Sequence, residues 1–411
     1  MKTKNDFISF FLALMVTLGV LTGCGEVAKP FVEPIVPPYD EPSVEHVVQA
    51  YDELSTTTAY DDSWENLTHE DIAMIIETFL INYPQFAYDF SGAIVAMQGS
   101  DVIWSKASGM ANSEQGVYNC FDTPFRINEL TKQFTGAAIL LLELDGRLSR
   151  TDTLDSFFTG HENLADFTVT DLLAMRGGFS VLLPYIMFDY LDSLTGSLDD
   201  VTSLSVDEME AFFISHWSGE LHFGFLNDGR ALDATFSYTP VDYWLLGRII
   251  EQASGTTYEE FIQSRIFTPL GMNNSGFYGM HDTAKPYQQF QSERDCVNWS
   301  HAHAFSAGGI VSTANDLKLW LDAYLNGELF PKYMLEQIFD KEYNFGWNLS
   351  PDNGIWFEET SMVGLSMGFH SYILYAPDND IKIIMLSNGF PYVARNLVSA
   401  VYTVLSMAGL V

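Results

Sequence analysis

The sequence predicts an α/β fold in which one antiparallel sheet is assembled from both ends of a globular region, with a mostly helical insert between them. Three observations predict it. Near the start, FSGAIVAMQG and DVIWSKASG are short apolar runs joined at Gly99-Ser100, a hairpin signal. Near the end, FHSYILYAPDNDIKIIMLSN repeats that pattern around a Pro-Asp-Asn-Asp turn. Between them, helical spacing dominates, broken by Gly and Pro loops. Strands at both ends with helices between imply a sheet covered by helices.

Taken in chain order, Lys2 and Lys4 precede the uncharged run FISFFLALMVTLGVLTGCG. The run is too short and too abruptly ended for a spanning helix. It closes in Leu21-Thr22-Gly23-Cys24, which resembles a bacterial lipoprotein signal. That resemblance implies that residues 1–23 are a signal peptide and that Cys24 carries a diacylglyceryl thioether. The anchor would hold the protein on the extracytoplasmic face of the cell membrane. The plainer alternative is a secretory signal with an incidental cysteine. Residues 24–66 bring Pro30, Pro34, Pro37, Pro38 and Pro42 together with many acids, which reads as an extended, self-repelling tether. Residues 67–411 form the globular domain. Its first helix is predicted over His69–Tyr83, with Asp71 in the first turn and Ile72, Ile75, Ile76, Phe79 and Leu80 at helical spacing. A last apolar helix is predicted over Val393–Met407.

Composition narrows the function. A chain of 411 residues that is 47% hydrophobic supports a sizeable core. The formal charge, 19 − 54 = −35, argues against nucleic acid, whose phosphates demand Lys and Arg. It also argues against electrostatic docking on anionic lipid. An acidic solubilising coat and the steering of cationic ligands both remain open. Beyond Cys24, Cys120 and Cys296 either pair or stay as buried free thiols.

Several longer stretches carry a family resemblance: DTPFRI; TKQFTGAAILLLELDGRLS; FTVTDLLAM; YWLLGRIIEQASGTTYEEFIQSRIFTPLGMNNSGF; SAGGIVSTANDLKLWLDAYLNG; YNFGWNL; and the closing strand pair. From about Phe90 to Asn388 the chain resembles the serine β-lactamase and penicillin-binding protein superfamily, in its class C-like, esterase-like branch. The resemblance implies a β-lactamase/transpeptidase-like α/β fold: an antiparallel sheet flanked by helices, plus a mostly helical subdomain. It implies acyl-transfer chemistry without a cofactor.

The chemistry of that family rests on three short motifs, and each is altered here. The first, S-x-x-K, becomes Glu129-Leu130-Thr131-Lys132. The serine would attack a carbonyl and the lysine one turn later would take its proton. No lysine in the chain has a serine three residues before it, so the motif has not slipped in register. The second, Y-x-N, becomes Tyr238-Thr239-Pro240; the tyrosine is kept and the amide is lost. The third, K/H-T/S-G, becomes Met362-Val363-Gly364, losing cation and hydroxyl together. Upstream, a usual HTSG reads Met175-Arg176-Gly177-Gly178.

Each residue has a bland reading beside the sharp one. Glu129 is either a general base, for which it needs a raised pKa, or the partner of a buried Lys132. For the pair, the helix N-terminus and the lysine both favour the charged carboxylate. Lys132 and Tyr238 are either a surviving proton-transfer pair or inherited packing. Pro240, Met362, Val363 and Gly364 line the pocket in either case. His301 and His303 would share one side of a strand, but no third ligand is evident, and no metal site is expected. His370 stands beside the pocket strand, and Arg176 reads as a surface cation.

The functional expectation is a membrane-anchored, extracytoplasmic β-lactamase-related protein of the serine hydrolase family. It has lost acyl transfer and binds a peptidoglycan-type peptide, a small molecule or an envelope partner. The alternative is an active hydrolase of esters, amides or β-lactams with a non-standard nucleophile, Thr131 or Thr239 being the nearby hydroxyls.

Overall fold

A computed structural model of the chain describes residues 67–87, 89–179, 204–217, 238–279, 283–285, 301–338, 343–349, 355–359, 368–389 and 391–411. Helix α1 (His69–Asn82) opens on a capping box in which Thr68 and Asp71 satisfy each other's backbone N–H groups. Strands β1 (Gly92–Gln98) and β2 (Asp101–Ser108) form the expected hairpin. Then come β3 (Met110–Asn112), β4 (Val117–Tyr118), β5 (Phe125–Arg126) and helices α2 (Thr131–Leu144), α3 (Val169–Leu173), α4 (Val206–Trp217), α5 (Pro240–Ser254) and α6 (Tyr258–Ile262). Strand β6 (Gly276–Phe277), helix α7 (His301–Gly308), β7 (Ile310–Ser312), α8 (Ala314–Asn326) and α9 (Lys332–Ile338) lead back to the sheet. Strands β8 (Tyr343–Asn344), β9 (Trp347–Leu349), β10 (Ile355–Glu359), β11 (His370–Ala376) and β12 (Ile381–Ser387) and helix α10 (Pro391–Met407) end the chain.

Among the described residues the main sheet has seven strands in the order β2-β1-β12-β11-β10-β9-β8. Every adjacent pair is antiparallel. The first strand and the last therefore lie side by side, with Gly92 opposite Ser387 and Gln98 opposite Ile381. Alternation along each strand serves two cores. Ala93, Val95 and Met97 join the core that α2, α5 and α8 share, where Phe134 stacks on Trp320 at 3.9 Å. Ile94 and Ala96 face Phe79 of α1 and Leu397 and Val401 of α10. Helices thus cover both faces. No described helix is long and apolar enough to cross a membrane. Cys120 is exposed, not buried, and carries a free thiol; Cys24 and Cys296 lie outside the described residues.

Two histidine expectations change. His301 and His303 lie on helix α7, not on a strand. Residues two apart on a helix do not share a face as they would on a strand. His303 is buried, which lowers its pKa to about 4, and no metal-holding cluster occurs among the described residues. On β11, Ser371 donates to Ile127 O at 2.7 Å, on the α2 side of the sheet. His370 therefore points to the opposite face, with Tyr372 and Leu374, away from the candidate site.

Burial, helped by nearby Arg395, lowers the His370 pKa to about 4. An unfolded histidine titrates near 6.5. Between those values the unfolded chain holds a proton that the folded one does not, so this contribution is lost as pH falls. Relative to a His370→Phe variant, the natural chain should lose roughly 2–3 kcal/mol of stability between pH 6.5 and 4.5. Urea denaturation at both pH values checks this. The opposite-signed effect of Asp242, whose pKa burial raises, cancels in the difference.

Candidate active site

The site is built where α2 meets the sheet. Strand β5 pairs with β7, Phe125 opposite Ser312 and Arg126 opposite Val311. Ile127 N–H then donates to Ile310 O at 3.1 Å. Asn128 follows at φ 49, a left-handed conformation that Asn tolerates better than most residues. Its Nδ2 donates to Phe369 O at 3.2 Å, pinning this corner to the start of β11. A single 3-10 turn, Asn128–Leu130, carries Glu129 into α2. Glu129 is thus in the lead-in turn, and Lys132 is the second residue of the helix proper.

The fold brings Glu129, Lys132 and Tyr238 together, with Lys132 and Tyr238 separated by 106 positions in the chain. Lys132 Nζ donates to the Tyr238 hydroxyl at 2.8 Å. Its distance to Glu129 Oε1 is 4.0 Å, the outer limit of an ion pair. The Lys132 side chain has no solvent exposure, whereas Glu129 keeps 26%. Burial is the largest influence on all three groups. It lowers the Lys132 pKa to about 8 against the opposing effect of Glu129. It raises the Glu129 carboxyl above its ordinary range against the pull of Lys132. It raises Tyr238 well above the usual phenol range, with Glu129 adding to the rise. The expectation that lysine and helix end would hold Glu129 charged is therefore corrected: desolvation outweighs them.

The neighbouring hydroxyls are committed to the scaffold. Thr131 is buried, and its Oγ1 accepts Ile310 N–H at 3.1 Å. Thr239 is the buried N-cap of α5, accepting Val241 N–H at 3.3 Å. Pro240 occupies the first turn of α5, where its missing N–H costs nothing. Arg176 is exposed, as a surface cation would be. Met362, Val363 and Gly364 lie outside the described residues.

Three structural contributors escaped the sequence reading. Asn128 sets the corner before Glu129. Asp242 is fully buried on the first turn of α5, accepts Gly177 N–H at 3.1 Å and is raised well above the usual carboxylate range, chiefly by burial. Gly346, in the β8–β9 turn, lies against the backbone of Lys132 and Gln133. An Asn before the motif was a usable signal for the first. Asp242 reads in sequence as an ordinary acid at a helix N-terminus, and Gly346 as an ordinary turn glycine.

A terminal-strand antiparallel sheet, a helical layer over it and a buried lysine at the head of α2 bonded to a tyrosine define a transpeptidase-like domain. A family model described as Beta-lactamase matches residues 76–402, and the chain belongs to that family. It is similar to a penicillin-binding protein of Bacillus subtilis, 24% identical over 330 residues, which cover 73% of this chain and 68% of that one. Among solved structures, it is similar to the octameric penicillin-binding protein homologue from Pyrococcus abyssi, with a TM-score of 0.62, 26% identity and coverage of 82% of this chain and 77% of that one. FmtA from Staphylococcus aureus shares the fold at a TM-score of 0.63 and 15% identity, over 86% of this chain and 94% of that one.

Proposed function

We propose that this β-lactamase-family protein is a pseudo-hydrolase: a penicillin-binding-protein-like scaffold that has lost acyl transfer and binds a cell-envelope peptide or partner. The observation that carries the reading is the exchange of one group in an otherwise assembled relay. Lys132 and Tyr238 remain hydrogen-bonded at 2.8 Å, while a carboxyl stands at Glu129. A carboxylate attacking an amide or ester would form a mixed anhydride, which is more reactive than the starting acyl group, so that step runs uphill. Thr131 and Thr239 offer no replacement, because each hydroxyl already caps or braces backbone. The lipoprotein-like run ending at Cys24 supports attachment to the outer face of the cell membrane by a lipid anchor, within reach of peptidoglycan.

One observation favours a second reading. The raised Glu129 carboxyl beside a lysine suits a general base that activates water. A single experiment separates the two. The full-length chain is incubated with a penicillin and with an activated ester, and intact mass and ester turnover are followed. The proposed reading expects an unmodified mass, no turnover above buffer and saturable binding of a peptidoglycan stem peptide. Ester turnover that disappears in Glu129→Gln would establish the second reading and end the first.

A further inference from the structure

We propose that Lys132 is an amine nucleophile that condenses reversibly with small uncharged aldehydes, forming an imine beside Glu129 and Tyr238. The activity differs from acyl transfer and needs no hydroxyl nucleophile. Three features of the cluster carry it. First, Nζ is buried, its close contact is a neutral phenol, and among the described residues the nearest carboxylate oxygen stands 4.0 Å away. A desolvated lysine without a tight carboxylate partner is the usual setting of an imine-forming amine. Second, a proton carrier is in place: the Glu129 carboxyl sits beside Nζ, and burial keeps it readier to hold a proton than an ordinary glutamate. Third, the Glu129 side chain is partly exposed while that of Lys132 is not, so the glutamate lies on the solvent side of the amine.

The step balances without an outside reagent. The neutral amine attacks the carbonyl carbon, forming a C–N bond and breaking the C=O π bond. One proton moves from nitrogen to oxygen, giving a carbinolamine. The hydroxyl then takes the Glu129 proton and leaves as water, the C=N bond forms, and the remaining N–H proton returns to the Glu129 carboxylate. Nothing is oxidised or reduced. The ligand class follows from charge. An oxo acid would bring its carboxylate against Glu129 in a chain of net charge −35, so an uncharged aldehyde is preferred.

The amine is also poised to react. With a pKa of about 8, roughly a tenth of Lys132 is neutral at pH 7, about two-hundredfold more than an ordinary lysine near 10.4. The test uses the full-length protein, propionaldehyde and sodium cyanoborohydride at pH 7, with peptide mapping over time. Lys132 should be propylated at least about tenfold faster than the average of the other lysines. Glyoxylate should label it more slowly, and Tyr238→Phe should reduce its rate while leaving the melting temperature near that of the natural chain. Lys132 left unlabelled in folded protein while surface lysines react would overturn the proposal. Faster labelling by glyoxylate would overturn the assigned ligand class. Penicillin acylation needs no reductant and is read in a separate sample. A failure here is therefore distinct from a failure of the pseudo-hydrolase reading.

Discussion

A Glu129→Ser variant is expected to gain one covalent acyl group per chain from a penicillin, where the natural chain gains none. The corner that presents position 129 is fixed independently of the side chain there. Asn128 is held to Phe369 O, Ile127 to Ile310, and the 3-10 turn runs directly into α2. A serine at that point would stand one turn before Lys132. Removing the carboxylate also changes the relay in the useful direction. Glu129 is the influence that raises the Lys132 pKa, so without it that pKa falls further below about 8 and the amine becomes more available as a base. Glu129 likewise adds to the rise of Tyr238, whose hydroxyl would titrate closer to its ordinary range. Loss of a nucleophile costs about a millionfold in rate in serine hydrolases. Recovery should be partial, because Pro240 offers no side-chain amide to a ligand. Acylation over minutes to hours, mapped to the peptide carrying position 129 and absent in Glu129→Ala, is the expected result. A folded Glu129→Ser protein that stays unmodified after prolonged exposure would mean that the missing hydroxyl is not the barrier.

The elements legible in the sequence were those whose signal is local. Asp71 in the first turn with an apolar stripe placed α1 to within a residue, and the terminal hairpins were readable from alternation and turn residues. The approach of Lys132 to Tyr238 was legible only through the motif resemblance, since no local pattern links residues 106 apart. The state of Glu129 was misjudged because sequence shows its charged neighbours and hides the enclosure that desolvates it. The same blindness applies to His370. Its position beside Phe369 suggested the site, yet one step along a strand reverses the face on which a side chain lies. Asp242 shows the limit most plainly: an acid on the first turn of a helix is usually solvated, and only the folded chain brings it under Gly177.

Gly346 joins the core to the site, and Gly346→Ala is expected to cost about 4 kcal/mol or more. In the turn between β8 and β9, Phe345 and Gly346 take φ values of 50 and 80, the double left-handed signature of a tight hairpin turn. Alanine at the second position meets two penalties. One is conformational, about 1 kcal/mol for a Cβ in the left-handed region. The other is steric. A Cβ at 346 would lie 2.5 Å from Gln133 N and from the Lys132 carbonyl carbon, and 2.8 Å from Lys132 O. Those atoms are backbone of the first turn of α2 and cannot rotate aside. The contact is reciprocal, since a Cβ on Gly136 would lie 2.9 Å from Phe345 O. Hairpin and helix are therefore in backbone contact at two glycines, and relief requires the head of α2 to move with Lys132 on it. Gly116→Ala is the matched control: φ is 67 there, but nothing lies within 4 Å of a Cβ, so only the conformational cost of about 1 kcal/mol applies. Urea denaturation of both variants separates the two penalties. Equal losses would show that the β8–β9 turn does not brace α2. A much larger loss in Gly346→Ala, with slower aldehyde labelling of Lys132, is what a site held from behind by this hairpin requires.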